Sequence, residues 1–406
     1  MNDIFLKSGD STKTYNELVD SVNSSEYYYP FIRTNDLFEL FKNIIVAIIC
    51  NKELTLLDSD ISSNEIVGVD ADMINRKERL KQAISVSLED IEQKIMVSKA
   101  AITIFTSGTT GQPKKVSHSI QNLIRSVRKS YNHKNDVWGL SYNPTHMSGL
   151  QVFFQAILNK NSIVNIFGQQ RKNVLASLKA NKVTHLSGTP TFFRLLLPTD
   201  IVIDSIKRVT FGGEKSDQKL YDNILHMFPN AKITNVYAST EAGSLFAAKN
   251  DCFQIPSSLL SQIKIDDGEL LIHKSLLGHS DSFTYKGDYY CSGDIIEWVD
   301  QEKGLFRFKS RKNEMVNVGG YKVNPAEVED LISSIDGISQ VVVYGKPNSI
   351  LGNVLCADIR LEDGVNITET EIRKILHGKL QDFKIPRRIK FVKEFSVTRT
   401  GKIKRT

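Results

Sequence analysis

Across the first 250 residues, short β-branched runs alternate with longer helical patterns, and this alternation restricts the fold more than any other property of the chain. A helix is predicted at 149–158. Strands are predicted at 101–105, 162–167, 184–187, 208–211 and 232–237. Because strands that alternate with helices of this length are joined by right-handed crossovers, the pattern predicts a largely parallel sheet in an α/β domain.

The pattern changes after residue 250. Three short runs joined by Asp/Gly turns predict an antiparallel β subdomain, with strands at 269–273, 295–299 and 305–308. A compact β-α-β pattern follows Arg311, with predicted helices at 326–335 and 370–380 and a strand at 341–344. The polar run from Ser310 to Asn313 separates the two patterns. The predicted domains are therefore 1–310, with its β subdomain near 252–310, and a small α+β domain at 311–406.

Composition excludes several classes of protein. Hydrophobic residues make up 41% of the 406 residues and charged residues 24%, so the chain has enough apolar residues for folded cores. The longest aliphatic stretch, Ile44 to Cys50, is far shorter than the roughly 20 residues of a membrane helix. The N-terminus lacks the pattern of a signal peptide, and the four cysteines form no CxxC pair. These features predict a cytoplasmic protein with no membrane span.

The net charge of +6 is concentrated at one end of the chain. Residues 384–406 contain nine Lys or Arg and one acid, so the remainder carries a net charge of −2. A near-neutral body of this kind is not typical of a nucleic-acid-binding protein. The basic tail is either a solvated surface or a surface for an anionic ligand or partner.

The run from Thr106 to Lys115, TSGTTGQPKK, directly follows a predicted strand. Its small hydroxyl residues and glycines expose backbone N–H groups, an arrangement that suits a polyphosphate. The spacing GxxxxGK[ST] is not present, so this is not a Walker loop. A flexible linker is the alternative, but linkers rarely lie between a buried strand and the next element.

The loop resembles the TSGTTGxPK phosphate loop of the adenylate-forming superfamily, which includes acyl-CoA synthetases, aryl-CoA ligases, luciferases and peptide-synthetase adenylation domains. Further motifs that resemble this superfamily occur in the same order, at 14–18, 143–150, 211–214, 235–241, 290–294, 310–329 and 398–402. The resemblance covers roughly residues 11 to 406. It implies a large N-terminal domain of α/β layers with a β subdomain, followed by a small mobile α+β domain that carries a catalytic lysine.

The resemblance also implies a reaction. ATP and Mg²⁺ would activate a carboxylic acid to an acyl-adenylate with release of pyrophosphate, and the acyl group would pass to coenzyme A with release of AMP. The phosphopantetheine of a separate acyl carrier protein is an alternative acceptor. A non-catalytic nucleotide-binding protein is a third hypothesis, which the intact Thr240, Glu241, Asp294 and Lys402 count against.

Residue roles follow from the motifs to which each position belongs. The resemblance assigns catalysis to Lys402, Thr240, Glu241 and His146, and assigns the Mg²⁺ ligand to Glu241. The nucleotide-binding positions are Thr106, Ser107, Gly108, Thr109, Thr110, Gly111, Lys114, Gly213, Glu214, Tyr237, Ala238, Asp294 and Arg311. The substrate pocket is assigned to Met147, Gly212 and Ala238, the thiol tunnel to Gly319 and Gly320, and the hinge to Asn313. A tight turn is an equally open explanation for the two tunnel glycines.

Two features bear on the acid. Met147 follows His146, and no acidic residue lies between Asp136 and Asp200, which argues against an α-amino acid. Ala238 replaces the family's glycine and would shorten an acyl tunnel, which favours a small or medium acyl or aryl acid. An apolar wall could be formed by Met147, Phe193, Phe211 and Tyr237, although these residues equally suit a core.

The chain departs from the superfamily in two places. The phosphate loop begins tens of residues earlier than in relatives, so the first subdomain is predicted to be trimmed between Leu18 and Phe38. Ser396 stands where the terminal motif usually begins with proline. The trimming affects the substrate-side wall and any dimer surface, whereas the predicted ATP-site residues are all present.

Overall fold

The computed structural model describes residues 3–59, 68–106, 114–198, 200–214, 216–249, 252–348, 352–397 and 403. These residues form two compact units. Unit 1 contains the described residues of 1–262 and 272–290, and unit 2 contains those of 263–271 and 291–398 together with residue 403.

The described residues form ten α-helices, three of which were predicted from the sequence. Those of unit 1 are α1 (Tyr15–Asn23), α2 (Leu37–Ile49), α3 (Leu88–Val97), α4 (Ile120–Ile124), α5 (Met147–Leu158), α6 (Arg171–Ala180), α7 (Pro190–Leu195) and α8 (Gln218–Met227). Those of unit 2 are α9 (Pro325–Ser333) and α10 (Glu369–His377). The helices predicted at 149–158, 326–335 and 370–380 are confirmed as α5, α9 and α10, with small shifts at their ends.

The strands fall into the two predicted patterns. Up to residue 254 they are β1 (Ile4–Ser8), β2 (Ser11–Thr14), β3 (Tyr27–Tyr28), β4 (Phe31–Arg33), β5 (Glu53–Leu57), β6 (Glu78–Arg79), β7 (Ala101–Thr106), β8 (Lys114–Ser119), β9 (Val137–Leu140), β10 (Ser162–Asn165), β11 (His185–Gly188), β12 (Arg208–Gly212), β13 (Lys232–Ser239), β14 (Gly243–Lys249) and β15 (Cys252–Gln254). The later strands are β16 (Ile263–Asp266), β17 (Glu269–His273), β18 (Tyr285–Lys286), β19 (Tyr289–Asp300), β20 (Leu305–Arg311), β21 (Val316–Val318), β22 (Tyr321–Val323), β23 (Ile338–Asn348), β24 (Gly352–Leu361) and β25 (Arg388–Phe391).

The larger sheet of unit 1 is largely parallel, as predicted. Its strand order is β15-β14-β13-β12-β11-β9-β10-β1-β2, and the pairs from β13 through β1 run parallel. A second sheet has the order β4-β5-β7-β8, in which only the last pair is antiparallel. Helix α2 is apolar nearly all round and lies in the core, capped by Asp36, whose carboxylate accepts the N–H groups of Phe38 and Glu39.

The first motif of the resemblance, residues 14–18, has a local structural role. The Thr14 hydroxyl accepts the backbone N–H of Glu17, and the Glu17 carboxylate accepts the N–H of Thr14. This reciprocal capping box fixes the start of α1. The motif is therefore explained by helix initiation, since it satisfies two backbone donors that the helix leaves unpaired.

Unit 2 contains the strands predicted at 295–299 and 305–308 and the predicted α+β fold. Strands β19 and β20 form an antiparallel pair. A second sheet has the order β22-β21-β24-β23, with β25 parallel to β24, and α9 and α10 contribute Val328, Ile332, Ile372 and Leu376 to its core. The predicted boundary between residues 310 and 311 lies within unit 2, and the division into 1–310 and 311–406 stays a prediction. Among the described residues, no helix has the length and apolar character needed to cross a membrane.

Candidate active site

Thr240 and Glu241 lie in the turn that joins β13 to β14. β13 ends at Ser239 and β14 begins at Gly243, so both residues lie at the carboxyl end of a strand of the parallel sheet. Ligands of open α/β sheets bind at this edge. Gly243 has a φ of +66°, a conformation that glycine adopts without strain. The turn therefore presents a hydroxyl and a half-buried carboxylate at the edge where a ligand is expected.

Three consecutive carbonyl oxygens of this turn are held by hydrogen bonds from distant residues. A buried or half-buried carbonyl needs such a donor to offset the loss of water. The donors are the His118 Nε2 to the Thr240 carbonyl (2.8 Å), the Gly278 N–H to the Glu241 carbonyl (2.8 Å) and the Arg125 guanidinium to the Ala242 carbonyl. Because the backbone is fixed on both sides of each side chain, the positions of Thr240 and Glu241 are set before any ligand binds.

His118 is fully buried behind the turn. Its contact with a carbonyl oxygen requires the proton on Nε2, and within the described part of the chain its Nδ1 has no hydrogen-bond partner. Burial lowers the pKa of His118 to about 4. A Cβ at position 278 would lie 2.5 Å from His118 Cε1, so Gly278 is needed for the ring to fit. The histidine is thus held as a neutral donor.

The depressed pKa of His118 predicts a loss of stability in acid. Between about pH 6.5 and pH 4 the unfolded chain binds a proton at this residue that the folded chain does not, so the free energy of unfolding falls as the pH falls. We expect up to about 3 kcal/mol from His118 over this range. His118→Gln retains an N–H donor without titrating and should flatten the dependence, measured by urea unfolding. His279→Gln, at an exposed histidine, is the control, and an equal slope in both variants would contradict the assignment.

Arg125 predicts a coupled loss of stability and activity. Its guanidinium donates to the Ala242 carbonyl and, at 2.9 Å, to the Leu276 carbonyl. Arg125→Ala leaves both oxygens without that donor, so we expect the free energy of unfolding to fall by about 2–4 kcal/mol. We also expect ATP–pyrophosphate exchange to fall about tenfold, with partial recovery in Arg125→Lys. Arg128→Ala, at an exposed arginine nearby, should change neither the free energy of unfolding nor the exchange rate. A normal exchange rate in Arg125→Ala would exclude a positioning role for Arg125.

The segment Gly212–Glu214 lies beside this turn, at the carboxyl end of the neighbouring strand β12. Gly212 pairs with Val236 of β13, and Gly213 has a φ of +81°. The Glu214 carboxylate accepts the backbone N–H of Thr191 at 2.9 Å, in the first turn of α7. The adjacent ends of β12 and β13 thus bring together the predicted residues Gly212, Gly213, Glu214, Tyr237, Ala238, Thr240 and Glu241.

The phosphate-binding motif is only partly described. Ser107, Gly108, Thr109, Thr110 and Gly111 lie outside the described residues, as does Lys402. The two ends of the loop are described, because Thr106 ends β7, Lys114 begins β8, and the two residues are direct partners in the antiparallel ladder. The strand predicted directly before this motif is confirmed as β7, whereas the predicted loop lies outside the described residues. The roles of the loop residues and of Lys402 stay predictions.

His146 is held by an aspartate that sequence reasoning missed. Its Nε2 lies 2.8 and 2.9 Å from the two carboxylate oxygens of Asp58, which also accepts the Asn143 side-chain amide at 3.2 Å. Asp58 directly follows β5, and an acid at the end of a buried strand was the signal available in the sequence. Gly149 of the same motif is needed for close packing, because a Cβ there would lie 2.2 Å from the Asn143 carbonyl oxygen.

The four residues predicted as an apolar wall occupy different environments. Met147, Phe193 and Phe211 are buried in hydrophobic core clusters, and the Phe193 and Phe211 rings pack edge-to-face at 4.9 Å. Tyr237 is half-buried and stacks on Phe246 with ring centroids 5.5 Å apart. Core packing therefore accounts for three of the four side chains, and a pocket role for them stays a prediction.

Unit 2 holds Asp294 and Arg311 in a cross-strand ion pair. They are direct partners on β19 and β20, and the Arg311 Nε donates to an Asp294 oxygen at 2.6 Å. A second buried acid, Glu269, accepts the Gly293 N–H at 3.0 Å and the Lys312 ammonium at 3.2 Å. Sequence reasoning missed Glu269, although it begins a strand directly after an Asp-Gly turn.

The remaining predicted positions lie near the start of the C-terminal pattern. Gly319 and Gly320 form the two-residue turn between β21 and β22, with φ values of +60° and +91°. Two positive φ values in succession are the requirement of a type I′ hairpin, so the tight-turn explanation is confirmed. The backbone of Asn313 lies in a short 3₁₀ segment, Lys312–Glu314. The tunnel and hinge roles stay predictions.

Comparisons with known proteins show which sequences the chain resembles. The sequence model of the AMP-binding enzyme family matches residues 43–262, and that of the AMP-binding enzyme C-terminal domain matches residues 327–402. The 2-succinylbenzoate–CoA ligase of Listeria monocytogenes is 26% identical over 330 residues, which cover 76% of this chain and 69% of that protein. The ligase of Staphylococcus aureus strain MSSA476 is also 26% identical, over 75% of this chain and 66% of that protein.

Solved structures share the fold at low sequence identity. ATP-bound MatB from Rhodopseudomonas palustris superposes with a TM-score of 0.75 at 16% identity, covering 99% of this chain and 95% of that one. The o-succinylbenzoate CoA synthetase MenE of Bacillus subtilis, in complex with its acyl-adenylate, superposes with a TM-score of 0.72 at 17% identity, covering 99% and 94%. Both comparisons place the chain in the same fold as these enzymes.

Proposed function

The chain belongs to the AMP-binding enzyme family, and from that membership we propose that it is an AMP-forming acid–thiol ligase. It activates a carboxylic acid with ATP to an acyl-adenylate and pyrophosphate. It then transfers the acyl group to the thiol of coenzyme A and releases AMP. The observation that carries this proposal is the turn with Thr240 and Glu241, whose backbone is fixed at the carboxyl end of β13.

The first half-reaction needs preorganised groups more than proton transfer. A carboxylate oxygen attacks the α-phosphorus, the bond between that phosphorus and the bridging oxygen breaks, and pyrophosphate leaves. The Thr240 hydroxyl donates to an α-phosphate oxygen, and Glu241 supplies the hard oxygen ligand that Mg²⁺ prefers. Bound Mg²⁺ would neutralise charge on the phosphates. Because the turn does not have to reorganise, its donors stabilise the developing charge without a further cost.

Lys402, Asp294 and Arg311 have the remaining proposed roles. The Lys402 ammonium contacts the substrate carboxylate and the α-phosphate together, which aligns the two reacting groups. Asp294 accepts the ribose hydroxyls, and Arg311, which already pairs with Asp294, orients that carboxylate. Residues 311–406 turn about Asn313 between the half-reactions. In the second one the thiol sulfur attacks the acyl carbonyl, the thiol proton is released and AMP leaves.

The acid is proposed to be a small or medium acyl or aryl carboxylate. The relatives in Listeria and Staphylococcus are named for 2-succinylbenzoate, an aryl acid. His146 is followed by the buried Met147, so the position offers no carboxylate for an α-amino group. Ala238 adds a methyl group at the strand end beside the turn, which shortens the space for an acyl chain. The acceptor is proposed to be coenzyme A because those same relatives are named CoA ligases.

A pyrophosphate-release screen tests this proposal. Each carboxylic acid, 2-succinylbenzoate among them, is incubated with the enzyme, ATP and Mg²⁺, with coenzyme A, with a phosphopantetheinylated carrier protein, or with neither. Acid-dependent pyrophosphate release with AMP formation supports adenylation, and thioester formation identifies the acceptor. If a thioester forms only with the carrier protein, the carrier protein and not coenzyme A is the acceptor. No release with any acid would contradict the proposed activity.

The basic C-terminal segment predicts a contact with the acceptor. Arg387 and Arg388 are exposed, whereas Lys384 is paired with Glu327 at 2.8 Å. The double variant Arg387→Glu/Arg388→Glu should raise the KM for the anionic acceptor about tenfold, while ATP–pyrophosphate exchange stays within about twofold. Lys374→Glu/Lys379→Glu reverses the same number of exposed charges on or beside α10 and should leave the KM unchanged. An unchanged KM in Arg387→Glu/Arg388→Glu would indicate that these arginines form a solvated surface and do not contact the acceptor.

A further inference from the structure

We propose that unit 1 contains a site for a divalent transition-metal ion, best matched by Zn²⁺, formed by His133, Asp136 and His185. One ligand atom from each side chain lies within 4.8 Å of the other two. His133 ends a short 3₁₀ segment, Asp136 directly precedes β9, and His185 begins β11. Two imidazoles and one carboxylate are a common ligand set of three-ligand zinc sites, which leave the fourth position open.

The distances within this cluster, which we call the His–Asp–His cluster, fit a small ion. The His133 Nδ1 lies 2.8 Å and the His185 Nε2 lies 3.4 Å from the same oxygen of Asp136. Ligands about 2.0–2.2 Å from a tetrahedral ion are separated from one another by roughly 3.3 Å. Asp136 and His185 are buried, while about a third of the His133 side chain is exposed. The cluster is therefore nearly assembled and open to solvent on the His133 side.

The environment of His185 directs its Nε2 toward the cluster as a ligand. The Thr184 hydroxyl accepts the Val137 N–H at 2.8 Å and lies 2.9 Å from the His185 Nδ1. The Thr184 hydroxyl can donate its proton to the Val137 carbonyl, at 3.3 Å. It then accepts the Nδ1–H of His185, which leaves the lone pair of the His185 Nε2 facing the Asp136 carboxylate. A cation between the His185 Nε2 and the Asp136 carboxylate removes the repulsion between these two acceptors. In known metal sites, the ring nitrogen of a histidine that does not bind the metal usually donates a hydrogen bond, as the His185 Nδ1 does here.

Two further features keep His185 ready to ligate. The Trp138 ring packs on the imidazole with centroids 4.7 Å apart, which fixes its plane. His185 is also buried, which restricts the motion of its side chain. Lys207 and Arg208 place positive charge near the same ring. Because these charges repel a metal ion, we expect binding in the micromolar range.

The site is distinct from the proposed Mg²⁺ position. Asp136 and His185 lie at the amino ends of the parallel strands β9 and β11, whereas Thr240 and Glu241 lie at the carboxyl end of β13. Nitrogen donors favour Zn²⁺ and related ions over Mg²⁺, which prefers oxygen ligands. An ion here would link β9 to β11, where His185 pairs with Trp138. We therefore expect it to stabilise unit 1 without entering the reaction.

The experiment uses the tag-free full chain after treatment with a chelator. Zn²⁺ is titrated by calorimetry in excess Mg²⁺, the bound zinc is counted by elemental analysis, and Co²⁺ is added to report a tetrahedral site by its visible absorption. We expect one ion per chain and a rise in the Tm when Zn²⁺ binds. His133→Ala and Asp136→Asn should each weaken binding at least about tenfold.

Two controls make the result decisive. His279→Ala removes an exposed histidine from unit 1, and Glu241→Gln removes the proposed Mg²⁺ ligand; both should bind zinc as the unchanged protein does. His133 is partly exposed, so its replacement is expected to leave the metal-free Tm nearly unchanged, and Asp136→Asn retains the size of its side chain. The proposal would be overturned if the unchanged protein bound no zinc, or if both cluster variants bound zinc as tightly as the unchanged protein.

Discussion

Lys402→Ala is expected to lower acid-dependent ATP–pyrophosphate exchange by at least about 100-fold, while thioester formation from a supplied acyl-adenylate remains measurable. The proposed lysine contacts the carboxylate and the α-phosphate at once, and aligning two reacting groups accounts for a large part of a barrier of this kind. A loss of about 100-fold corresponds to about 3 kcal/mol of transition-state stabilisation. The second half-reaction involves a different nucleophile and does not need this alignment.

The two half-reactions are measured separately with the same protein preparation. Exchange of labelled pyrophosphate into ATP reports adenylation, and coenzyme A consumption with a synthetic acyl-adenylate reports transfer. Lys404→Ala removes a charge two residues away and should change neither rate by more than about twofold. Equal loss of both half-reactions in Lys402→Ala would indicate that this lysine holds the fold or the nucleotide, and would contradict its assignment to adenylation.

The sequence predicted the elements that carry the site because their signals are local. The alternation of strands and helices predicted the parallel sheet. Gly212, Thr240 and Glu241 follow strands that were predicted from β-branched runs. The carboxyl ends of neighbouring parallel strands meet at one edge, so their proximity follows from topology. The Gly319–Gly320 turn was similarly open to prediction, since successive glycines allow two positive φ values.

The residues that support the site could not be predicted in the same way. His118 and Arg125 hold carbonyl oxygens more than a hundred positions later in the chain, and Asp58 contacts His146 across a separation of 88. Such contacts leave no periodicity, because each is a single polar pair made by the packing of different elements. In sequence, His118 is one polar residue of a short strand. Only the fold shows that it is buried and lies against Thr240.

The same limit explains the ambiguity of the apolar residues. Phe193 and Phe211 suit a substrate wall and a core equally well in sequence, because both environments select large apolar side chains. The structure buries both fully and packs them against each other. The acid-binding surface is therefore better sought near half-buried positions at the strand ends, such as Tyr237 and Ala238.

Glu241→Gln is expected to lower the kcat of pyrophosphate exchange by about 100- to 1,000-fold and to raise the Mg²⁺ concentration needed for half-maximal rate. Glutamine keeps the size of the side chain but removes the charge, and loss of one preorganised electrostatic contact commonly costs about 3–4 kcal/mol in the transition state. The Gly278 N–H donates to the backbone carbonyl of residue 241, so this hydrogen bond is retained in the variant.

Because this hydrogen bond is retained, the Tm and the Mg²⁺ dependence of the rate distinguish a structural role of the Glu241 side chain from a catalytic one. We expect the Tm of Glu241→Gln to stay close to that of the unchanged protein, and Glu241→Asp to recover part of the rate at high Mg²⁺. Asp288→Asn, at an exposed acid of unit 1 paired with Lys274, is the charge-matched control and should leave the Mg²⁺ dependence unchanged. A normal Mg²⁺ dependence in Glu241→Gln would exclude the carboxylate as a metal ligand, and the retained backbone hydrogen bond would then explain only the position of Thr240.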